Sequence, residues 1–415
     1  MSDPVEVPSR RTLGPAFDLL AVYEPPDGFF FERAGHGVAG RGTFARIEIP
    51  AGDDLVGRAV VAVRKTFASA RSDGDPPPIV VGALPFGATH DGLLTVPAHV
   101  VRRGTDDITR ETLVGSGDGS APMSFDRLSG DSAPHAAFAE MQVTAVPPRE
   151  SYASAVDAAL DRLRDGGLDK VVLARTMEVD AGRALDPRRL VHRLRAVDPD
   201  CFAFAAPTGT GSVLVGASPE LLVSRYGSEV RANPLAGSAP RAGDPDEDRA
   251  NAEALGSSAK DRQEHAIVVE AVFAALHPLC TELHHDADPV LLPTANVWHL
   301  STRFRGRLRE PAPSALELAA ALHPTPAVAG TPTPSALEVI AALEPFDRGC
   351  YAGPVGWVGA DGDGEWALAL RCAELAGERA TLFAGAGIVP DSDPALELDE
   401  TERKFRAFLD SLRWG

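Results

Sequence analysis

Four cysteines in 415 residues, at positions 201, 280, 350 and 372, are too few and too widely spaced for a disulfide framework or a Cys-x-x-Cys metal site. Buried, reduced thiols are expected instead. Basic residues are also scarce: 40 Lys and Arg stand against 59 Asp and Glu, a net charge of −19. Binding nucleic acid or an anionic membrane relies on cationic excess, so the balance argues against both partners. A small dianionic ligand would meet the same long-range repulsion, and its site would need local arginines, lysines or a metal to reverse the sign. No apolar run approaches the roughly 20 residues of a membrane span, and none follows a basic amino terminus. A cytoplasmic location is expected. Internal repeats and low-complexity tracts are missing, and the 35 prolines and 39 glycines are dispersed, which does not indicate disorder.

What is present is ordinary globular material, 44% hydrophobic and 24% charged, enough for a sizeable core. Residues 1–15 are polar and expected to be loose. From about 17 to 104, short apolar runs between Gly, Pro and Asp breaks predict strands in an α+β layer. Residues 105–149, rich in Gly, Ser, Asp and Pro, read as a surface excursion that separates an N-terminal part, 1–148, from a second region, 150–412. SYASAVDAALDRLRDGG has helical spacing and ends at Gly166-Gly167. Beyond it, DKVVLART, SVLVGASPELLVSRY, EWALALRCAEL and RATLFAGAG predict strands, and 253–277, 314–323, 334–343 and 394–413 predict helices.

The closing segment concentrates chemistry. Asp393-Pro394 is a helix start, and Glu397, Glu400 and Lys404 then fall at i, i+3 and i+7 on one face. Gly385 and Gly387 follow an apolar strand, Ala380 to Ala384, and read as a turn whose amides face an anion. Paired carboxylates, a cation and backbone amides suggest a divalent cation with a carboxylated ligand; a salt-bridged surface helix is the plainer alternative. Lys170 opens a strand and shares a face with Val172 and Ala174. Glu220 follows Pro219 at a strand kink. Glu264 lies on the apolar stripe of its helix with Ile267, Val268 and Ala271, so it needs a partner: Lys260 one turn back, or a metal ion. Acidic side chains without His or Cys spacing fit Mg²⁺ rather than zinc. Arg371 alternates with apolar neighbours on a predicted central strand, where an uncompensated cation is costly. His299 fits either a pocket wall or a satisfied core position.

Seven ordered segments carry a resemblance: DKVVLART (169–176), GASPELLV (216–223), NPLAGSAPR (233–241), SSAKDRQEHAIVV (257–269), LHPTPAVAGTP (322–332), FDRGCYAGPVGWV (346–358) and the closing AGIV stretch. Together they resemble the chorismate-utilising enzymes, which include isochorismate, salicylate, anthranilate and aminodeoxychorismate synthases, and they are most similar to isochorismate synthases. The likeness covers roughly 150–412 and extends more loosely to 29–47 and 77–86. It implies an α/β (α+β) fold of two packed antiparallel sheets flanked by helices. It also implies Mg²⁺-dependent, reversible conversion of chorismate to isochorismate. Lys170 matches the base that activates water, and Glu220 the acid that protonates the departing C4 hydroxyl. Glu264 and Glu400 match metal ligands, with Glu397 as a third or outer carboxylate. Arg371 matches the clamp on a substrate carboxylate, assisted by Lys404, Gly385 and Gly387. Ala236, Gly237, Ser238, His299, Ala327, Val328 and Tyr351 match the ring pocket. Ala236 stands where aminodeoxychorismate synthases carry a nucleophilic Lys, and Lys170 favours water over an amine. Tyr351 complicates the assignment, because salicylate synthases carry Tyr at the matching place. Salicylate synthase, which goes on to eliminate pyruvate, is therefore the nearest alternative, and a non-catalytic binding homologue is the remote one. No glutaminase subunit is implied, and a monomer is expected.

Overall fold

In the computed structural model, residues 10–14, 17–69, 78–104, 106–114 and 141–413 are described. Among them, nineteen strands join one hydrogen-bonded antiparallel network, and three more, Leu235–Pro240, Val297–Ser301 and Val290–Pro293, form a small separate sheet. Helices cover the network, as the resemblance implies.

The central strands, such as Phe202–Pro207, Val213–Ser218 and Pro354–Gly359, are buried on both faces, which is why they read as continuous apolar runs. In the strand Phe29–Arg33, Phe29 and Phe31 enter one core while Phe30 enters another. The strand Phe202–Pro207 divides in the same way, Phe202 and Phe204 from Ala203 and Ala205. Period-two alternation thus feeds two cores instead of a core and solvent. A third core packs helices Arg149–Arg164 and Thr333–Leu343 on the back of the strand Lys170–Asp180, against Val171 and Leu173.

The N-terminal residues are woven into the same network. Phe29–Arg33 pairs with Phe202–Pro207, and Ile79–Ala83 pairs with Pro354–Gly359. Two expectations need correcting here. The stretch 1–15 is not uniformly loose: Arg10–Leu13 is a strand paired with Thr109–Leu113. The 105–149 excursion contains strand as well, since Thr109–Leu113 also pairs with Gly92–Arg103, and Gln142–Val146 pairs with Lys170–Asp180. Its residues 105 and 115–140 lie outside the described residues. Polar composition misled in both places because edge pairing draws on backbone groups, which composition does not report.

Two segments read as single strands, the first with a kink after Pro219, are broken, and the breaks build the site. SVLVGASPELLVSRY forms Val213–Ser218 and Leu221–Tyr226, interrupted at Pro219-Glu220. EWALALRCAEL forms Gly364–Leu368 and Cys372–Ala376, interrupted at Ala369 to Arg371. The first halves and second halves pair across, Val213–Ser218 with Cys372–Ala376 and Leu221–Tyr226 with Gly364–Leu368. Both interruptions therefore fall side by side, tied by the Leu368 amide on the Glu220 carbonyl and the Ala217 amide on the Arg371 carbonyl. Arg371 takes a left-handed φ of +49° at this junction, so it is not a mid-strand residue. The predicted 253–277 helix is two, Pro245–Ser257 and Ala259–Leu276, with Ser258 capping the second through the Asp261 amide.

Candidate active site

Glu220 and Arg371, placed by the paired strand breaks, face the same cleft. Ala236, Gly237, Ser238, Glu264, His299, Ala327, Val328, Tyr351, Gly385, Gly387, Glu400 and Lys404 line the same cleft. Most of the expected site residues, drawn from distant segments of the chain, thus converge on one cavity. Lys170 and Glu397 are not on its wall. Lys170 is fully buried just behind Glu264, and Glu397 is 2% exposed on the C-terminal helix Pro394–Arg413.

Lys170 Nζ stands 2.9 Å from Glu264 Oε1 as an ion pair, and Nζ has no hydrogen-bond partner among the described residues. Lys260, by contrast, donates to Glu397 Oε1 at 2.9 Å. Of the two partners considered for Glu264, Lys260 thus turns to another helix, and Lys170, from the strand Lys170–Asp180, takes its place. Lys404 donates to the Gly385 carbonyl at 2.8 Å and is paired with Glu400.

Gly385 and Gly387 do not form a turn. They lie within the strand Arg379–Ile388, opposite Ala174 and Val172. Val172 and Ala174 send their own N–H groups the other way, to the Ala329 carbonyl and Glu344 Oε1. In an antiparallel ladder such pairs are the non-hydrogen-bonded kind, so the amides of Gly385 and Gly387 point away from that neighbour. Position 387 is crowded: an added Cβ would overlap Glu264 Oε1, which would have to move, and would come within 3.0 Å of Lys170 Cε.

Electrostatics separate the carboxylates. Burial pushes Glu220 up to about 8, against the opposing Leu235 amide and the charges of Lys170, Lys404 and Arg371. Burial would also raise Glu400, but the charge and hydrogen bond of Lys404 and a bond from Ser238 outweigh it and hold Glu400 below the usual range. Glu397 is raised by burial and by Glu400, with Lys260 opposing. His299 is pushed well below its ordinary value, first by burial and then by Arg371 and Lys404. A neutral imidazole is what the geometry needs, because Arg371 Nη2 donates to its Nε2 at 2.9 Å. Arg371 makes no ion pair with a carboxylate among the described residues, so its charge is available to a ligand.

No cluster of three or more His, Cys, Asp or Glu side chains that could hold a metal is found among the described residues. Glu264 and Glu400 nonetheless both reach the cleft, and Mg²⁺ is commonly held by one or two carboxylates, with waters and ligand oxygens completing the shell. The donor set fits a site finished by the ligand. Sequence reasoning missed Arg348, which also lines the cleft while only 4% exposed. The signal available was an arginine inside the apolar-rich FDRGCYAGPVGWV.

The match to known proteins agrees with this convergence. The family model described as chorismate binding enzyme matches residues 120–413. The chain is 41% identical over 403 residues to isochorismate synthase DhbC of Bacillus subtilis, covering 94% of each. It is 36% identical over 386 residues to isochorismate synthase EntC of Escherichia coli K12, covering 92% of this chain and 94% of that one. The solved structure of DhbC from Bacillus anthracis superposes with a TM-score of 0.82 at 38% identity, covering 96% of this chain and 99% of that one. No helix among the described residues is long and apolar enough to cross a membrane.

Proposed function

We infer the activity from the premise that this chain belongs to the chorismate-binding enzyme family. It is an isochorismate synthase, an isomerase that converts chorismate reversibly to isochorismate. The observation that supports it best is the cleft in which a buried, proton-retaining Glu220 meets an Arg371 that has no carboxylate partner among the described residues, with Lys170 behind the wall.

In the mechanism we propose, Arg371 grips a substrate carboxylate through its planar fork, and the Gly385 and Gly387 region with Lys404 adds further contacts. Neutral His299 accepts from Arg371 and fixes the direction of the guanidinium. Lys170, in its amine form, takes a proton from water as the oxygen bonds to C2. The ring double bonds shift, the C4–O bond breaks, and Glu220 gives its proton to the leaving hydroxyl, so one water enters and one leaves. Glu264 and Glu400 would hold Mg²⁺, which when bound neutralises and orients the substrate carboxylate. Glu397, paired with Lys260, supports that end of the helix. Ala236 supplies no amine, in keeping with water as the nucleophile. We further propose a cytoplasmic monomer that needs no glutaminase subunit.

Tyr351 favours examining one other product. Its ring stacks on Phe383 at 5.1 Å and 10° in the cleft wall, and it is the residue shared with salicylate synthases. Purified protein incubated with chorismate and Mg²⁺ decides between the two. An equilibrium mixture of chorismate and isochorismate on chromatography supports this reading; stoichiometric salicylate and pyruvate would replace it with the lyase.

A further inference from the structure

Arg348 and Glu344 form an ion pair that the reaction scheme does not use, and their side chains are only 3% and 4% exposed. The guanidinium donates to Glu344 through Nε at 2.8 Å and through Nη2 at 2.6 Å. It also donates to backbone carbonyls, from Nη1 to Val328 and from Nη2 to Val172, each at 2.8 Å. Glu344 Oε1 accepts in turn from the Ala174 amide at 2.7 Å. Three separate stretches of chain meet at this pair: the strand that carries Lys170, the turn that carries Val328, and the turn from Arg348 to Tyr351, closed by the Tyr351 amide on the Arg348 carbonyl. Val172, Val328 and Tyr351 all line the cleft.

A buried ion pair is weak evidence of added stability, because apolar residues of similar volume often do as well. What a bidentate arginine supplies beyond that is direction and distance, which lysine does not reproduce. We propose that Arg348, held by Glu344, is a positioning residue that fixes the spacing of Val172, Val328 and Tyr351, keeping the substrate ring where water addition proceeds and pyruvate elimination does not. The proposal rests on the isochorismate synthase reading above. The suppressed reaction needs no other reactant. In isochorismate the C2 hydrogen passes to the methylene carbon of the enolpyruvyl group, the C3–O bond breaks, and the ring becomes aromatic, yielding salicylate and pyruvate. That transfer requires the methylene carbon to come over C2, an approach that the spacing of the wall would govern.

The test compares wild-type protein with Arg348→Lys, Arg348→Met and Glu344→Gln. Chorismate, isochorismate, salicylate and pyruvate are quantified beside kcat, KM and thermal melting. For the Arg348 variants, kcat is expected to fall about 10²-fold with a smaller change in KM, as for a misplacement of reacting groups. The salicylate share at equal conversion should rise above that of wild type. Arg348→Lys keeps the charge but not the set of bonds, so it should resemble Arg348→Met. Glu344→Gln retains an acceptor for the Ala174 amide and should give the same shift more weakly; it keeps the test readable if the Arg348 variants do not fold. Folded variants with unchanged product partition and unchanged kcat overturn the positioning role. Wild-type protein that forms no isochorismate overturns the functional reading itself, and this proposal with it.

Discussion

Replacing Glu220 with Gln tests whether burial alone keeps a catalytic acid protonated. The folded chain holds this carboxyl at about 8 against an ordinary 4.5, chiefly because the group is 3% exposed. Between those two values the folded state binds a proton that the unfolded state does not. Stability from this group is therefore fully present below about 4.5 and is lost as the pH rises through about 8. At about 1.4 kcal/mol per tenfold change, the interval is worth roughly 5 kcal/mol at most. Glutamine has nearly the same shape and no charge to bury. Urea melts should find the two proteins similar near pH 5, with Glu220→Gln the more stable at pH 9 by up to that amount. Over the same range wild-type turnover should decline above pH 8, as the acid loses its proton. The variant should be about 10²–10⁴-fold slower and lack that limb. A stability difference that is equal at pH 5 and pH 9, or an alkaline limb that persists in the variant, would refute the reasoning.

Lys170→Ala should lower turnover by about 10²–10⁴-fold, because it removes the base. Melting should show a folded protein, since the lost ion pair with Glu264 leaves that carboxylate at the cleft wall; near-normal rates would exclude Lys170 as the base. Chelation should abolish activity and Mg²⁺ restore it. Calorimetry of chorismate with Glu264→Gln or Glu400→Gln should lose the metal-dependent part of binding, and Glu397→Ala should lose less. Gly387→Ala places a methyl group onto Glu264 Oε1 and beside Lys170 Cε. It should cost about 10²-fold in kcat through displacement of that pair, in a protein that still folds; an unaffected rate would show that the pair is free to move.

The identity of the chemical groups was legible in the linear sequence. Asp393-Pro394 marks a helix start by a local rule, and the helix Pro394–Arg413 begins there, with Asp393 accepting from the Ala395 and Leu396 amides. Glu264 was readable as an inward carboxylate from helical periodicity, and it is buried. Such features depend on neighbours within a few residues, so spacing reports them. Partner choice does not depend on near neighbours. Lys170 rather than Lys260 reaches Glu264, a pairing between distant segments that only the folded chain brings together. The glycines at 385 and 387 looked like a turn because glycine is common there. Only the crowding of Glu264 and Lys170 against the strand shows that a side chain at position 387 would displace that pair. The breaks at Pro219-Glu220 and at Ala369 to Arg371 were invisible as a pair, since each is a local irregularity that acquires a purpose when the two ladders align. The raised pKa of Glu220 is likewise a property of the folded interior, where burial removes the water that would otherwise favour its charge. The residues set what chemistry is available; the tertiary structure set which charges meet, which are desolvated, and so which acid keeps its proton.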